Sequence, residues 1–253
     1  MYKQETIKPY SQEGEKGEQV ELMFDNIAPT YDRLNHLLSF NVDRYWRRAA
    51  LKTLVPYQPQ HILDMATGTG DFALLAARML RPATLTGADL SEGMLAIARQ
   101  KLDKARTEKK SEELAATTFD FQKQDCMALT LASDHYDAAT VAYGVRNFPD
   151  LERGLSEMLR VLKPGGRLVI IELSSPKSFP MKQLFWLYSH VYMPTVGRLL
   201  SKDRQAYKYL PATMEAFPQG EPMVDILTKV GYVDVKYKPF TFGLSTLYTA
   251  AKP

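Results

Sequence analysis

The chain has 253 residues, 45% of them hydrophobic and 24% charged, and a net charge of +3. That length suits one domain with embellishments and a sizeable core, and so mild a positive balance gives no argument for a nucleic-acid partner. One cysteine, Cys126, excludes an internal disulfide framework and points to a reducing cytoplasm. The polar opening MYKQETIKPYSQEGEKGEQ has no apolar signal core, and no run reaches the roughly 18 apolar residues of a membrane span.

Residues 1–18 read as a mobile polar tail. Residues 19–58 read as an N-terminal helical cap. Val20, Met23, Phe24 and Ile27 keep helical spacing up to Pro29, Arg44 to Leu54 makes a second amphipathic run, and an irregular link joins the two. Residues 59–175 alternate strand and helix. HILDMA is a buried strand, FALLAARML a helix, TLTGADL a strand and SEGMLAIARQKLDKAR a helix that Ser91 can cap. TFDFQKQD and YDAATVAYG are the third and fourth strands. LERGLSEMLRVL is a helix closed by Pro164-Gly165-Gly166, and RLVIIEL is the fifth strand. Such alternation predicts an α/β protein with a Rossmann-like, doubly wound, mostly parallel sheet. Residues 176–220 interrupt it with a helical insertion that caps the substrate side, and residues 221–253 add a helix and a closing hairpin.

The ligand question sits in ILDMATGTGDFALLA. Gly68, Gly70 and Ala73 spell G-x-G-x-x-A, a form of the dinucleotide fingerprint, and Asp89 follows at the distance of its ribose-binding acid. Asp64 and Asp71 bracket this loop. Two acids would repel a diphosphate, yet would suit the ammonium and sulfonium of S-adenosylmethionine. Further strand ends carry suitable groups: Asp89 for ribose hydroxyls, Asp125 and Cys126 for an adenine ring, and Ala142-Tyr143-Gly144 beneath a reactive methyl. Against a short-chain dehydrogenase, the Tyr-x-x-x-Lys spacing of Tyr232 to Lys236 lies in a stretch that alternates like a strand. His36, His61, His135 and His190 are scattered and show no metal spacing.

Two long stretches carry a family resemblance. YDRLNHLLSFNVDRYW matches a first signature at Tyr31, Asp32, Asn35, Ser39 and Trp46, and RVLKPGGRLVIIELS matches a second throughout. GVRN at 144–147 and YKYLPATMEAFP at 207–218 are similar as well. From Val20 to Lys252 the sequence resembles the C-methyltransferases of ubiquinone and menaquinone biosynthesis. It departs from them at Leu34 and Asp43, where the family usually has Met and His, at Ala142, often a small hydroxyl residue, and at Ala66, often Gly among methyltransferases.

The resemblance implies a class I methyltransferase that methylates a ring carbon of a prenylated quinol, most simply demethylmenaquinol. The alternatives are a ubiquinone-pathway benzoquinol, another small-molecule methyltransferase, an NAD-dependent oxidoreductase and a non-catalytic partner protein. It assigns S-adenosyl-L-methionine to Asp64, Gly68, Thr69, Gly70, Asp89, Asp125, Cys126 and Ala142. Arg146 and Tyr143 are the catalytic candidates, Arg146 as the positive group beside a developing phenolate. Tyr31, Asn35, Ser39, Arg44 and Trp46 are the substrate cap. Residues 181–200 offer an apolar entrance for the tail, with Leu184, Leu187, Tyr188 and Val191 sharing a helical face. A peripheral contact with the inner face of the membrane and a homodimer stay open.

Overall fold

Alternation along the strands sorts the core into two layers on opposite faces of one sheet. The computed structural model describes residues 1–11, 13–39, 41–107, 112–192, 203 and 205–253, and of residues 33–38 and Tyr207 only the backbone. Seven strands, β1 (His61–Met65), β2 (Thr84–Asp89), β3 (Thr118–Lys123), β4 (Tyr136–Ala142), β5 (Leu162–Leu173), β6 (Val233–Phe240) and β7 (Ser245–Ala251), lie in the order β3-β2-β1-β4-β5-β7-β6. The first five run parallel, and β7 is antiparallel to both β5 and β6. The doubly wound sheet and its closing hairpin are thus as the sequence implies.

The helices are α1 (Lys3–Thr6), α2 (Lys16–Ser39), α3 (Val42–Lys52), α4 (Asp71–Leu80), α5 (Glu92–Thr107), α6 (Glu112–Ala115), α7 (Leu151–Val161), α8 (Met181–Leu187), α9 (Ala206–Ala216) and α10 (Glu221–Val230). Leu63, Ala139, Leu168 and Ile170 pack with Leu155 and Met158 of α7 and Ile226 and Leu227 of α10. Their neighbours Ile62, Ala138, Val169 and Ile171 point the other way, onto Trp46, Ala50 and Leu51 of α3, Ala73 and Ala77 of α4 and Leu95 and Ala98 of α5. A third cluster joins Val20, Met23 and Ile27 of α2 to Met94, Ala206 and Tyr209.

Three features differ from the sequence reading. The tail is docked: Gln4 is fully buried, Glu5 accepts from Leu151 N (2.9 Å) at the start of α7, and Lys16 Nζ donates to Gln4 O (2.6 Å). Polar composition hid this, because the anchors are hydrogen bonds and not an apolar stripe. Helix α2 passes through Pro29 and reaches Ser39, so there is no irregular link up to that point. An interior proline costs a helix about 3 kcal/mol, but burial of Val20, Met23, Ile27 and Ala28 offsets it. Finally, Pro164-Gly165-Gly166 lies inside β5, as a bulge between the pairs Tyr136–Leu162 and Ala138–Arg167. Gly165 adopts φ 76°, and a Cβ on Gly166 would stand 2.8 Å from Lys163 O.

Strand order reverses between β1 and β4, and their carboxyl ends therefore part to leave a crevice. Helix α2 lies over it, and its Asp25 accepts from Ser91 Oγ (2.5 Å) and Gly93 N (3.0 Å) at the head of α5. Ser91 Oγ in turn caps that helix by accepting from Met94 N (3.1 Å).

Candidate functional site

A cavity of about 80 Å³ occupies this crevice. Its floor is Met65, Ala66 and Gly68 after β1, Asp89 at the end of β2, Gln124, Asp125 and Cys126 after β3, and Ala142, Tyr143 and Gly144 after β4. Gly17, Glu21, Phe24 and Tyr31 of α2 close it from above. The floor needs unusual backbone. Ala66 (φ 53°), Gly68 (φ 57°) and Tyr143 (φ 62°) all sit in the left-handed region, which costs a non-glycine residue about 1–2 kcal/mol. Gly144 meets a separate demand, for a Cβ there would lie 2.5 Å from the Ala66 Cβ. The methyl at position 66 is accommodated because position 144 has none.

Asp89 ends β2 on the floor of this cavity. Its Oδ2 accepts from Gly68 N (2.7 Å) and its Oδ1 from Ser91 N (2.9 Å), so each oxygen keeps a further lone pair for a ligand. Burial raises its pKa to about 6 against the pull of those N–H donors. Asp125 is exposed at the rim and accepts from Met127 N (2.8 Å). Burial drives the Cys126 thiol far above its usual range and keeps it neutral.

Asp64, Thr69 and Gly70 do not line the cavity. Asp64 is buried beneath the loop, where it accepts from Thr67 Oγ1 and Thr140 Oγ1, both at 2.6 Å. Thr69 Oγ1 donates to Asp32 (2.6 Å), and Gly70 abuts Ala98 of α5. Asp71 pairs with Lys101 (2.6 Å) and Arg47 (3.5 Å), and Lys101 also holds Asp32 (2.5 Å). The electrostatic argument from Asp64 and Asp71 therefore passes to Asp89 and Asp125. Asp64 instead ties the glycine loop to β4, and Asp71 ties the start of α4 to α3 and α5.

A second, larger cavity of about 310 Å³ adjoins the first and shares Phe24, Tyr31, Tyr143 and Asn147 with it. Its wall is mostly apolar, with Met23, Ile27, Val42, Leu173, Phe185 and Met214 among its residues. Two buried guanidiniums break that surface. Arg146 Nη1 donates to Glu172 Oε1 and to Tyr143 O, both at 2.5 Å, so it clamps the strained turn at Tyr143. Its Nε is buried and makes no hydrogen bond, as is true of Asn147 Oδ1 and the Tyr209 hydroxyl. Arg47 lies 3.5 Å from both Asp43 and Asp71, with its guanidinium over the Tyr143 ring at 5.4 Å. Burial raises the Tyr143 hydroxyl well above its ordinary pKa, with Arg47 pulling it back.

Of the expected substrate cap, Tyr31, Ser39 and Trp46 line this cavity. Trp46 Nε1 donates to Thr241 Oγ1 (2.8 Å), and Ser39 Oγ to Asp43 Oδ1 (2.7 Å). The Asn35 side chain lies outside the described residues. Arg44 is exposed and lines neither cavity. The helical repeat turns Asp43, Trp46, Arg47, Ala50 and Leu51 inward, so Arg47 takes the place expected of Arg44. In the insertion, Met181, Leu184, Phe185 and Tyr188 line the cavity while Leu187 and Val191 face outward. The face shared by Leu184, Leu187, Tyr188 and Val191 is therefore split. Met193 and Arg198 lie outside the described residues.

Sequence reasoning passed over Arg47, Glu172, Asp43 as a cavity residue, and Tyr209. Arg47 was legible from the inward spacing of α3. Glu172 is the lone acid of RLVIIEL, and an acid inside an apolar strand calls for a buried cation. Asp43 was noted only as a departure from the family pattern. Tyr209 had no local signal beyond the stretch around it.

A doubly wound sheet with an acid at the β2 end, a glycine turn after β1 and a cavity at the switch point defines a Rossmann-like class I methyltransferase fold. Solved structures agree: the chain superposes on a SAM-dependent methyltransferase from Thermotoga maritima with TM-score 0.63, at 19% identity, over 92% of this chain and 99% of the other. It superposes equally on the [4+2]-cyclase SpnF, with TM-score 0.63, at 20% identity, over 94% and 97% of the two chains. The second match shows that the fold alone does not define the reaction.

Sequence relatives are closer. The demethylmenaquinone methyltransferase of Bacteroides fragilis is 55% identical over 251 residues, covering 99% of both chains, and that of Porphyromonas gingivalis is 43% identical over the full length of both. The ubiquinone/menaquinone biosynthesis C-methyltransferase UbiE of Geobacter sulfurreducens is 43% identical over 94% of this chain and 90% of its own. The model of the ubiE/COQ5 methyltransferase family matches residues 12–252, and the chain belongs to that family.

Proposed function

We propose that this protein methylates a ring carbon of a reduced, prenylated quinone, with S-adenosylmethionine as methyl donor and demethylmenaquinol as substrate. The observation that carries this reading is the pair of joined cavities, one floored by strand-end acids and the other apolar with two buried guanidiniums. The first cavity suits the donor. Open space lies above Gly68, with no atom within 4 Å of a Cβ built there, and the Asp89 carboxylate stands beside it, with lone pairs for two ribose hydroxyls. Asp125 at the rim can accept from an adenine amino group, and neutral Cys126 can pack against the ring. When bound, S-adenosylmethionine supplies an electrophilic methyl on sulfur.

The chain's residues then have separable tasks. Tyr143, Tyr31 and Asn147 stand where the cavities meet and hold the ring flat at the junction. Arg146 and Arg47 stabilise the phenolate oxygen, which raises electron density on the neighbouring carbon. Holding the reacting atoms in line contributes about 7–11 kcal/mol to the acceleration. The prenyl tail runs along Leu184, Phe185 and Met181. Around that mouth the surface is apolar: Phe179 is 81% exposed and Phe242 75%, with Trp186, Leu187 and Val191 also outside. Among the described residues no helix is long and apolar enough to cross a membrane. Contact with a bilayer would be peripheral, through this rim.

The test is to supply labelled S-adenosylmethionine with reduced demethylmenaquinone, with the reduced benzoquinone precursor, and with each in oxidised form. Label should enter the reduced naphthoquinol. Equal labelling of an oxidised ring would refute the electron-rich nucleophile, and faster labelling of the benzoquinol would move the substrate to the other pathway.

A further inference from the structure

We infer that Asp43 is the general base that takes the hydroxyl proton of the quinol; this rests on the quinol reading above. The chemistry needs such a group, since the ring carbon becomes a strong nucleophile only as its neighbouring hydroxyl ionises. Among the described residues lining the larger cavity, Asp43 is the only carboxylate, and none is a histidine. Arginine cannot serve, because it stays protonated. The other buried acid nearby, Glu172, does not line the cavity and is held by Arg146 and by Leu173 N (2.8 Å).

The surroundings of Asp43 suit the task. It sits in the first turn of α3, on the wall that also carries Trp46 and Arg47. Ser39 Oγ donates to Oδ1 from the end of α2, and the Arg47 guanidinium stands 3.5 Å from Oδ2. Tyr143 faces the same space from the loop after β4, and Asp71 at the start of α4 shares Arg47 with it. Arg47 thus borders both the acceptor of the proton and the cavity that would receive the quinol.

In the step, the quinol O–H bond breaks and its proton joins the Asp43 carboxylate. The electron pair stays on the oxygen and flows to the ring carbon, which forms the bond to the methyl as the carbon–sulfur bond breaks. The new carbon then loses its hydrogen to water as the ring regains aromaticity, and Asp43 returns its proton to the oxygen. One proton is released overall. Negative charge moves from one neighbour of Arg47 to another, and the net charge of the apolar cavity does not change. An ordinary phenol ionises near pH 10, so the two guanidiniums are needed to bring the hydroxyl within reach of a carboxylate.

The experiment uses the full chain with Asp43→Asn and Asp43→His, the labelled-methyl assay, and binding of an alkyl-tailed 4-nitrophenol without methyl donor. Asp43→Asn should cut kcat about 10²–10⁴-fold with KM changed less than threefold. Its residual rate should rise about tenfold per pH unit, as solvent hydroxide takes over the deprotonation. Asp43→His should recover at least tenfold of the loss, because imidazole is another acceptor. In the binding arm, removal of the neighbouring negative charge should lower the pH at which the bound nitrophenol turns yellow by at least one unit. If Asp43→Asn retains a third of the parent kcat, or the bound nitrophenol ionises at the same pH in both proteins, Asp43 is not the base, while the quinol reading stands. If the unsubstituted protein fails to methylate either quinol, both readings fall. Should Asp43→Asn not fold, loss of activity in a folded Asp43→His with an unshifted nitrophenol transition would overturn the proposal equally.

Discussion

Replacing Glu172 by glutamine tests whether the second guanidinium of the cavity is held by charge or by shape. Glu172 is almost wholly buried and accepts from Arg146 Nη1 (2.5 Å), Arg146 N (3.3 Å) and Leu173 N (2.8 Å). The amide keeps the size but loses the charge, and it turns a donor toward one of these donors. Arg146, itself buried, is left as an uncompensated cation. Breaking a buried pair in this way costs about 3–5 kcal/mol. At roughly 2–4 °C per kcal/mol for a chain of this length, the melting temperature should fall by about 6–20 °C. Urea unfolding should give the same loss as a shift of midpoint without a change of slope. The companion variant Arg146→Met with Glu172→Met removes both charges but leaves Arg146 N and Leu173 N without their acceptor, so it should recover only part of the loss. That double variant should be folded yet nearly inactive, since the cavity loses one of its two positive groups. A Glu172→Gln protein within 1 kcal/mol of the parent would refute this reasoning, as would a double variant as unstable as the single one.

Gly144→Ala should destabilise by about 1–3 kcal/mol through overpacking and weaken donor binding, and Ala66→Gly in the same chain should restore most of both, because the closest clash is with the Ala66 Cβ and only the 3.0 Å approach to Val141 remains. Calorimetry on the two single variants and the double variant checks this non-additivity. Asp64 and Asp89 carry folded pKa values raised to about 6, above the ordinary ~3.9. Between about pH 4 and 6 the folded chain holds protons the unfolded chain has lost. Their contribution is therefore fully present below that window, and stability declines as pH rises through it. Asp64→Asn should flatten the slope in urea titrations at several pH values, and an unchanged slope would rule Asp64 out as its source. Leu184→Ser should slow long-tailed substrates more than a short-tailed analogue, by about 0.8 kcal/mol per methylene no longer buried. Leu187→Ser should leave that preference intact and reduce only co-sedimentation with lipid vesicles.

The sheet was legible because its signals are local. Period-two apolar runs such as HILDM and RLVIIEL place strands, and the strand-end acid Asp89 marks the crevice. Sequence failed where long-range contacts decide. Nothing near Asp64 says that Thr140, on the neighbouring strand, will claim its carboxylate. Nothing near Asp71 announces Lys101 from the next helix. Arg44 and Arg47 are both cationic neighbours of Trp46, and only the angular position on α3 separates the exposed one from the buried one. Pro29 reads as a stop, and it is overruled by the apolar positions that α2 buries just before it, Val20, Met23, Ile27 and Ala28.

Helix α2 contributes Phe24 and Tyr31 to the walls of both cavities, and it is pinned at Asp25, Asp32 and Lys16. Two ligands that lean on one element bind with a shared free energy. If the methyl donor settles α2 and so tightens the quinol tenfold, the quinol must tighten the donor tenfold in return. The same reciprocity bears on turnover. If loss of the methyl loosened α2 on the donor side, the hold on the methylated product would loosen by the same factor. A single helix can therefore couple the affinities of the two products to each other.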